Sequence, residues 1–256
     1  MAIEAKTPNR RGGKSTAAGP SRGSGSEGTV VAVLAAISVC HMLNDVIQSL
    51  IMAIYPMLKS ALVLDFSQIG IITFTFQGTA SLLQPVVGYY TDRYPTPYSL
   101  VLGMSSSLIG LLLMAFATNY LMVLAAAALI GMGSSVFHPE SSRVARLASG
   151  GQHGLAQSVF QVGGNFGTAL GPLLAAFVVL PNGQRSLAWF SVVALIAMTM
   201  LTFIGGWYGN TIKVNNGKGA SVNEMLAISS LGQSKVRRSI AILLALTFSK
   251  HFYLVS

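Results

Sequence analysis

The chain is 256 residues long, 52% hydrophobic and only 9% charged, with a formal net charge of +9. A soluble domain carries about 25% charged residues, so this composition cannot cover a globule with polar surface, and apolar runs far longer than the roughly 9–11 residues of a barrel strand point to membrane-spanning helices. The Lys and Arg residues fall in the N-terminal tail and in alternate connections between apolar runs, a pattern of membrane topology rather than of nucleic-acid binding, and the single cysteine, Cys40, excludes an internal disulfide or a thiolate metal cluster.

Residues 1–28 are rich in Gly, Ser, Lys and Arg and almost free of apolar side chains, so they read as a disordered cytoplasmic tail. The first apolar run, 29–55, exceeds the roughly 20 residues that a bilayer crossing needs. Within it His41, Asn44, Asp45 and Gln48 fall at i, i+3, i+4 and i+7, one stripe of a helix. Asp45 would lie near the bilayer midplane, where a carboxylate costs about 2.5–3.5 kcal/mol and must face a partner or a water-filled cavity. Asp45 is therefore the candidate proton-coupling group, with His41 one turn away to tune it. Asn44 and Gln48 are candidate substrate contacts. The structural alternative is a buried hydrogen bond between helices.

Five further spans follow at approximately 66–90, 98–117, 120–137, 155–180 and 186–208, and a seventh begins at Ser239. The expected organisation is a six-helix bundle over 29–208, a basic cytoplasmic linker over 209–238 and a truncated seventh helix over 239–256. With the tail inside, the outer connections hold only Lys59 and Arg185, while the inner ones hold most of the remaining cations. That asymmetry places the N-terminus in the cytoplasm. Very short outer connections at 118–119 and 181–185 make neighbouring helices antiparallel.

On span two, Gln77, Ser81 and Gln84 form a polar stripe, and Gly88-Tyr89-Tyr90-Thr91-Asp92-Arg93 closes the inner end. Span four ends in Ser134, His138, Pro139 and Glu140, followed by Arg143 and Arg146. His138 and Glu140 without a third ligand at metalloprotease spacing do not make a zinc site, so neither metal nor cofactor is expected. A gate network of Glu140 with Arg143 or Arg146 fits better. Span five carries Gly163, Gly167 and Gly171 at four-residue spacing, a groove for close helix packing, and Pro172 supplies a kink. Gln157, Gln161 and Asn165 lie about 200° around the same helix, so its other side can face a polar cavity. In the seventh span Lys250 and His251 would reach a depth similar to Asp45, as the cationic part of an anion site facing it.

These features resemble the major facilitator superfamily. The segment Gly88 to Arg93 is similar to that family's loop signature between helices two and three, although Pro95, Thr96 and Pro97 stand where it has later Gly and basic positions. Gly167-x-x-x-Gly171-Pro172 resembles the family's antiporter signature in helix five, while Ala127 stands where antiporters often carry an Arg in helix four. The resemblance covers residues 40–256 and implies an all-α fold of two six-helix bundles, of which this chain supplies the first and the start of the second. It also implies that Asp92 and Arg93, with Glu140, Arg143 and Arg146, form a cytoplasmic gate.

The expected function is proton-coupled export of small anionic antibiotics, phosphonates included, across the bacterial inner membrane. Its partners would be the lipid bilayer, the drug, protons and the missing C-terminal bundle, with no nucleic acid and no enzymatic activity. An importer of a small metabolite with the same fold is the alternative. A six-helix intramembrane serine hydrolase built on Ser134 is the remote one.

Overall fold

The structure is a computed structural model that describes residues 30–217 together with Arg238, Ala241, Ile242, Ala245 and Leu246. The expectations for the tail at 1–28, for most of the linker and for Lys250 and His251 lie outside the described residues. Helix α1 spans Val31–Ala53, followed at Ile54 by a short helix α2, Tyr55–Ala61, with Pro56 in its first turn. There proline's missing N–H costs nothing. Helix α3, Phe66–Arg93, starts on a capping box in which the Asp65 carboxylate accepts from the Gln68 N–H and the Gln68 side chain accepts from the Asp65 N–H.

Helix α4 covers Ser99–Ala115, and α5, Tyr120–Leu147, is capped by Asn119, whose side-chain oxygen accepts from the Met122 N–H at 3.0 Å. Span four was expected to end at Phe137, yet its helix continues through Pro139 to Leu147. The polar residues from His138 onward mark a change of environment, not of backbone. Glu140 and Arg143 continue the helix and support it with an i,i+3 ion pair at 3.2 Å.

Helix α6, His153–Leu174, contains Pro172 and widens just after it into a π-helical turn at Ala175–Val179. The expected kink thus takes the form of a π turn next to the missing proline N–H. A single helical turn, α7 (Leu180–Asn182), reverses at Gly183, whose φ of +77° suits glycine. A 3-10 turn, Gln184–Phe190, leads into α8, Ser191–Gly217, which runs beyond the span edge expected at Tyr208 and into the sequence assigned to the linker. The Gln184 side chain donates to the carbonyls of Met114 and Ala117, satisfying the end of α4.

Two pairings organise the bundle: α1 lies along α6, and α5 lies between α3 and α4, while α8 closes against α4 and α1. The interior is filled by Ile37, Ile47, Leu50, Met104, Leu111, Phe137 and Leu201, all fully buried. Among the described residues, four helical stretches, Val31–Ala53, Tyr120–Leu147, His153–Asn182 and Gln184–Lys213, are long and apolar enough to cross a membrane; α4 is a shorter apolar helix.

The glycine row of α6 meets α1 directly. A Cβ on Gly163 would lie 2.2 Å from the Ser38 carbonyl oxygen, one on Gly167 2.2 Å from that of Met42, and one on Gly171 2.0 Å from the Ser49 hydroxyl. The close approach brings hydrogen bonds across the interface, Ser38 Oγ to the Val159 carbonyl at 2.8 Å and Ser49 Oγ to the Gly167 carbonyl at 3.3 Å. The packing of α1 against α6 is what sets the polar face of each beside the other.

Candidate functional site

Beside that seam, α1, α5 and α6 line an open polar pocket of about 330 Å3, with His41 and Asp45 from α1, His138 and Ser142 from α5, and the exposed Gln157, Gln161 and Asn165 from α6. His41 is buried and fixed on three sides. Its Nδ1 lies 2.9 Å from the Phe160 carbonyl, its ring stacks on Phe160 at 4.0 Å between centroids, and Gly164 leaves it room, since a Cβ there would sit 2.4 Å from Cε1. A carbonyl only accepts, so Nδ1 carries the proton and Nε2 is left toward Asp45, 3.3 Å from Oδ2. Asn44 Nδ2 donates to Asp45 Oδ1 at 3.1 Å, and His138 Nε2 stands 4.0 Å from the same oxygen. In neutral His41, Nε2 is a lone pair facing a carboxylate oxygen.

Several candidates take other places. Asn44 is buried and holds Asp45 from behind instead of lining the cavity. Gln48 lies a turn deeper, where its Oε1 accepts from the Ser134 hydroxyl at 3.0 Å and its Nε2 is buried without a partner. Gln77 is exposed on α3, outside the cavity, because α3 packs along α5 with a different face. Ser134, the candidate nucleophile of the hydrolase reading, thus has its hydroxyl on an amide and not on an imidazole. Gln161 and Asn165 do reach the cavity that holds Asp45.

On another face of the same C-terminal stretch of α5, a charged cluster ties together the ends of α3, α4 and α5. Arg143 pairs with both Asp92 and Glu140 and donates to the Thr91 carbonyl at 2.6 Å, while the Ser99 hydroxyl donates to Glu140 at 3.2 Å. Glu140 is fully buried, whereas the Asp92 side chain is 74% exposed. Arg93 points elsewhere, donating to the Tyr89 hydroxyl at 2.7 Å one turn back on its own helix. Glu140 therefore serves the arginine cluster, and His138, two residues before it, turns to the opposite task beside Asp45.

Sequence reasoning missed His138 as a member of the Asp45 site. The signal was present: Ser134, His138 and Ser142 fall at i, i+4 and i+8 and form a stripe once the helix is carried beyond Phe137, and Ser142 indeed donates to Gln157 across the cavity at 3.2 Å. Gly164, the wall behind His41 and Asp45, was missed because it stands one residue outside the regular glycine row.

Comparison with known proteins agrees with this architecture. The chain is 57% identical over 228 residues to the fosmidomycin resistance protein of Escherichia coli (strain K12), covering 89% of this chain and 55% of that protein. It is 44% identical over 204 residues to the uncharacterized MFS-type transporter YfnC of Bacillus subtilis (strain 168), covering 78% of this chain and 50% of the relative. The chain thus spans about half the length of the curated relatives it matches. Among solved structures, a crystal structure of the peptide transporter POT in complex with sulfate superposes with a TM-score of 0.56 at 14% identity, over 87% of this chain and 52% of that one, a likeness of fold. The profile of the Major Facilitator Superfamily matches residues 37–255. With its six-helix bundle built as α1 on α6 and α5 between α3 and α4, the chain belongs to the Major Facilitator Superfamily.

Proposed function

We propose that this chain forms the N-terminal bundle of a proton-driven exporter of small anionic antibiotics, fosmidomycin included, in the bacterial inner membrane with its N-terminus in the cytoplasm. The observation that carries the reading is Asp45, a carboxylate inside a membrane-spanning helix, held against His41 at 3.3 Å and open to a cavity lined by amides. The likeness to the E. coli fosmidomycin resistance protein supplies the substrate class.

Among the described residues, the ionisable neighbours of Asp45 are two imidazoles, His41 at 3.3 Å and His138 at 4.0 Å. Such a group takes up a proton from one side and releases it when the cavity reopens to the other. Gln161 and Asn165 supply hydrogen bonds to the drug. Lys250, with His251, would complete the site as its cationic part; the anionic drug and Asp45 compete for Lys250, so protonating Asp45 frees the lysine for the drug. At the inner end, Arg143 with Asp92 and Glu140 holds the ends of α3, α4 and α5 together as the closed gate.

The test is drug efflux by the full-length protein reconstituted in proteoliposomes under an imposed pH gradient. Asp45→Asn should insert and fold normally yet lose drug movement driven by the gradient. Export against a drug gradient by Asp45→Asn at the wild-type rate would overturn the assignment.

A further inference from the structure

We propose that His41, Asp45 and His138 form a binding site for a divalent transition-metal ion of the zinc class, a ligand distinct from the transported drug. Each offers one ligand atom into the same space, and these atoms all lie within 4.8 Å of one another. Zinc bonds of about 2.0–2.1 Å at tetrahedral angles place neighbouring ligand atoms roughly 3.3–3.4 Å apart. The His41 Nε2 to Asp45 Oδ2 separation of 3.3 Å already meets this, while His138 Nε2, 4.0 Å from the other carboxylate oxygen, must swing inward to close the triad from its present spread of up to 4.8 Å.

The surroundings match what a metal-binding histidine requires. A ligating imidazole usually donates its other N–H to a carbonyl or carboxylate, which fixes the tautomer and aims the lone pair. His41 does this through Nδ1 to the Phe160 carbonyl, with its ring clamped on Phe160. The carboxylate is steadied in turn by Asn44. A proton can satisfy only one pair of these acceptors at a time, while a metal ion satisfies all three. His138, with 32% of its side chain exposed, gives the ion an approach through the cavity.

Two neutral imidazoles and one carboxylate suit zinc and its neighbours far better than magnesium or calcium, which take oxygen donors. Three protein ligands leave a fourth position open toward Gln157, Gln161 and Asn165. The ion competes with protons for the same atoms. The titratable groups facing the site among the described residues are His41 and Asp45 on α1 and His138 on α5, while α6 contributes only amides. Affinity should therefore fall as pH drops and the imidazoles and carboxylate take up protons.

The experiment measures zinc binding directly, by competition with a zinc-chelating dye, on this chain purified in detergent with an affinity tag that contains no histidine. One zinc per chain should bind at about pH 7.5, survive a large excess of magnesium, and weaken by more than about tenfold near pH 5.5. His41→Gln, Asp45→Asn and His138→Gln should each weaken it by more than about tenfold, and His153→Gln, which removes an imidazole hydrogen-bonded to Ser149, should leave it unchanged. Cobalt titration of the wild type avoids dependence on variant folding: intense visible bands of a four- or five-coordinate ion, bleached by zinc, support the site. A weak spectrum like that of the hydrated ion, or zinc binding unchanged in all three variants, would overturn it. Drug export is measured separately, on the full-length protein without added zinc, so that failure of either reading can be told from failure of the other.

Discussion

Replacing Gly167 by alanine tests the seam on which the site depends. The new Cβ would lie 2.2 Å from the Met42 carbonyl oxygen and 3.0 Å from the Met42 carbonyl carbon and Cα, where ordinary contact is 3.4–4 Å. These are backbone atoms of α1, so no rotamer change relieves the clash, and α6 must move away from α1 by roughly 1 Å. That shift stretches His41 Nδ1 to the Phe160 carbonyl, Ser49 to the Gly167 carbonyl and Ser38 to the Val159 carbonyl together. Overpacking costs about 1–3 kcal/mol, and the higher helix propensity of alanine returns about 1 kcal/mol. With the weakened hydrogen bonds at about 0.5–1 kcal/mol, Gly167→Ala should lose about 0.5–3 kcal/mol.

Gly78→Ala is the matched comparison, because a Cβ on Gly78 meets nothing within 4 Å. It should be neutral or stabilising by up to about 1 kcal/mol. The assay is thermal unfolding of both variants in the same detergent, followed by helical circular dichroism. If Gly167→Ala melts at or above Gly78→Ala, α1 and α6 do not touch at this glycine and the account of the seam fails.

The arginine cluster predicts an unequal response from its two acids. Glu140→Gln, which uncouples a fully buried carboxylate from Arg143, should destabilise by about 2–3 kcal/mol, less than a fully orphaned buried charge because Arg143 keeps Asp92 and the Thr91 carbonyl. Asp92→Asn, at an exposed side chain, should move the melting temperature little, and the reverse order in thermal unfolding would contradict the assignment of burial. Gln48→Leu removes a buried amide nitrogen that has no partner but also the acceptor of the buried Ser134 hydroxyl, so it should destabilise by about 1–3 kcal/mol. If the proposed export of fosmidomycin holds, the same substitution in the full-length protein should lower resistance of cells to it, and wild-type resistance would place Gln48 outside the drug's path.

Composition and pattern were enough to establish a helical membrane protein and the number of helices in the first bundle, because a bilayer demands long uncharged runs and the polar connections interrupt them visibly. The same logic picked out Asp45: a carboxylate in an apolar run is expensive, and its stripe with His41 follows from helical spacing on one element. The glycine row on α6 was legible as a packing face for a similar reason, but its partner was not. Only the tertiary structure decided that the row meets α1, that Gly164 walls His41, and that α5 continues past Pro139 to deliver His138 to Asp45 while sending Glu140 to Arg143. It also decided that Gln77 stays outside the cavity and that Arg93 bonds to Tyr89 instead of joining the acidic cluster. Spacing along one helix fixes which residues share a face, whereas which faces meet depends on how helices far apart in sequence pack, and that information is distributed over the whole core.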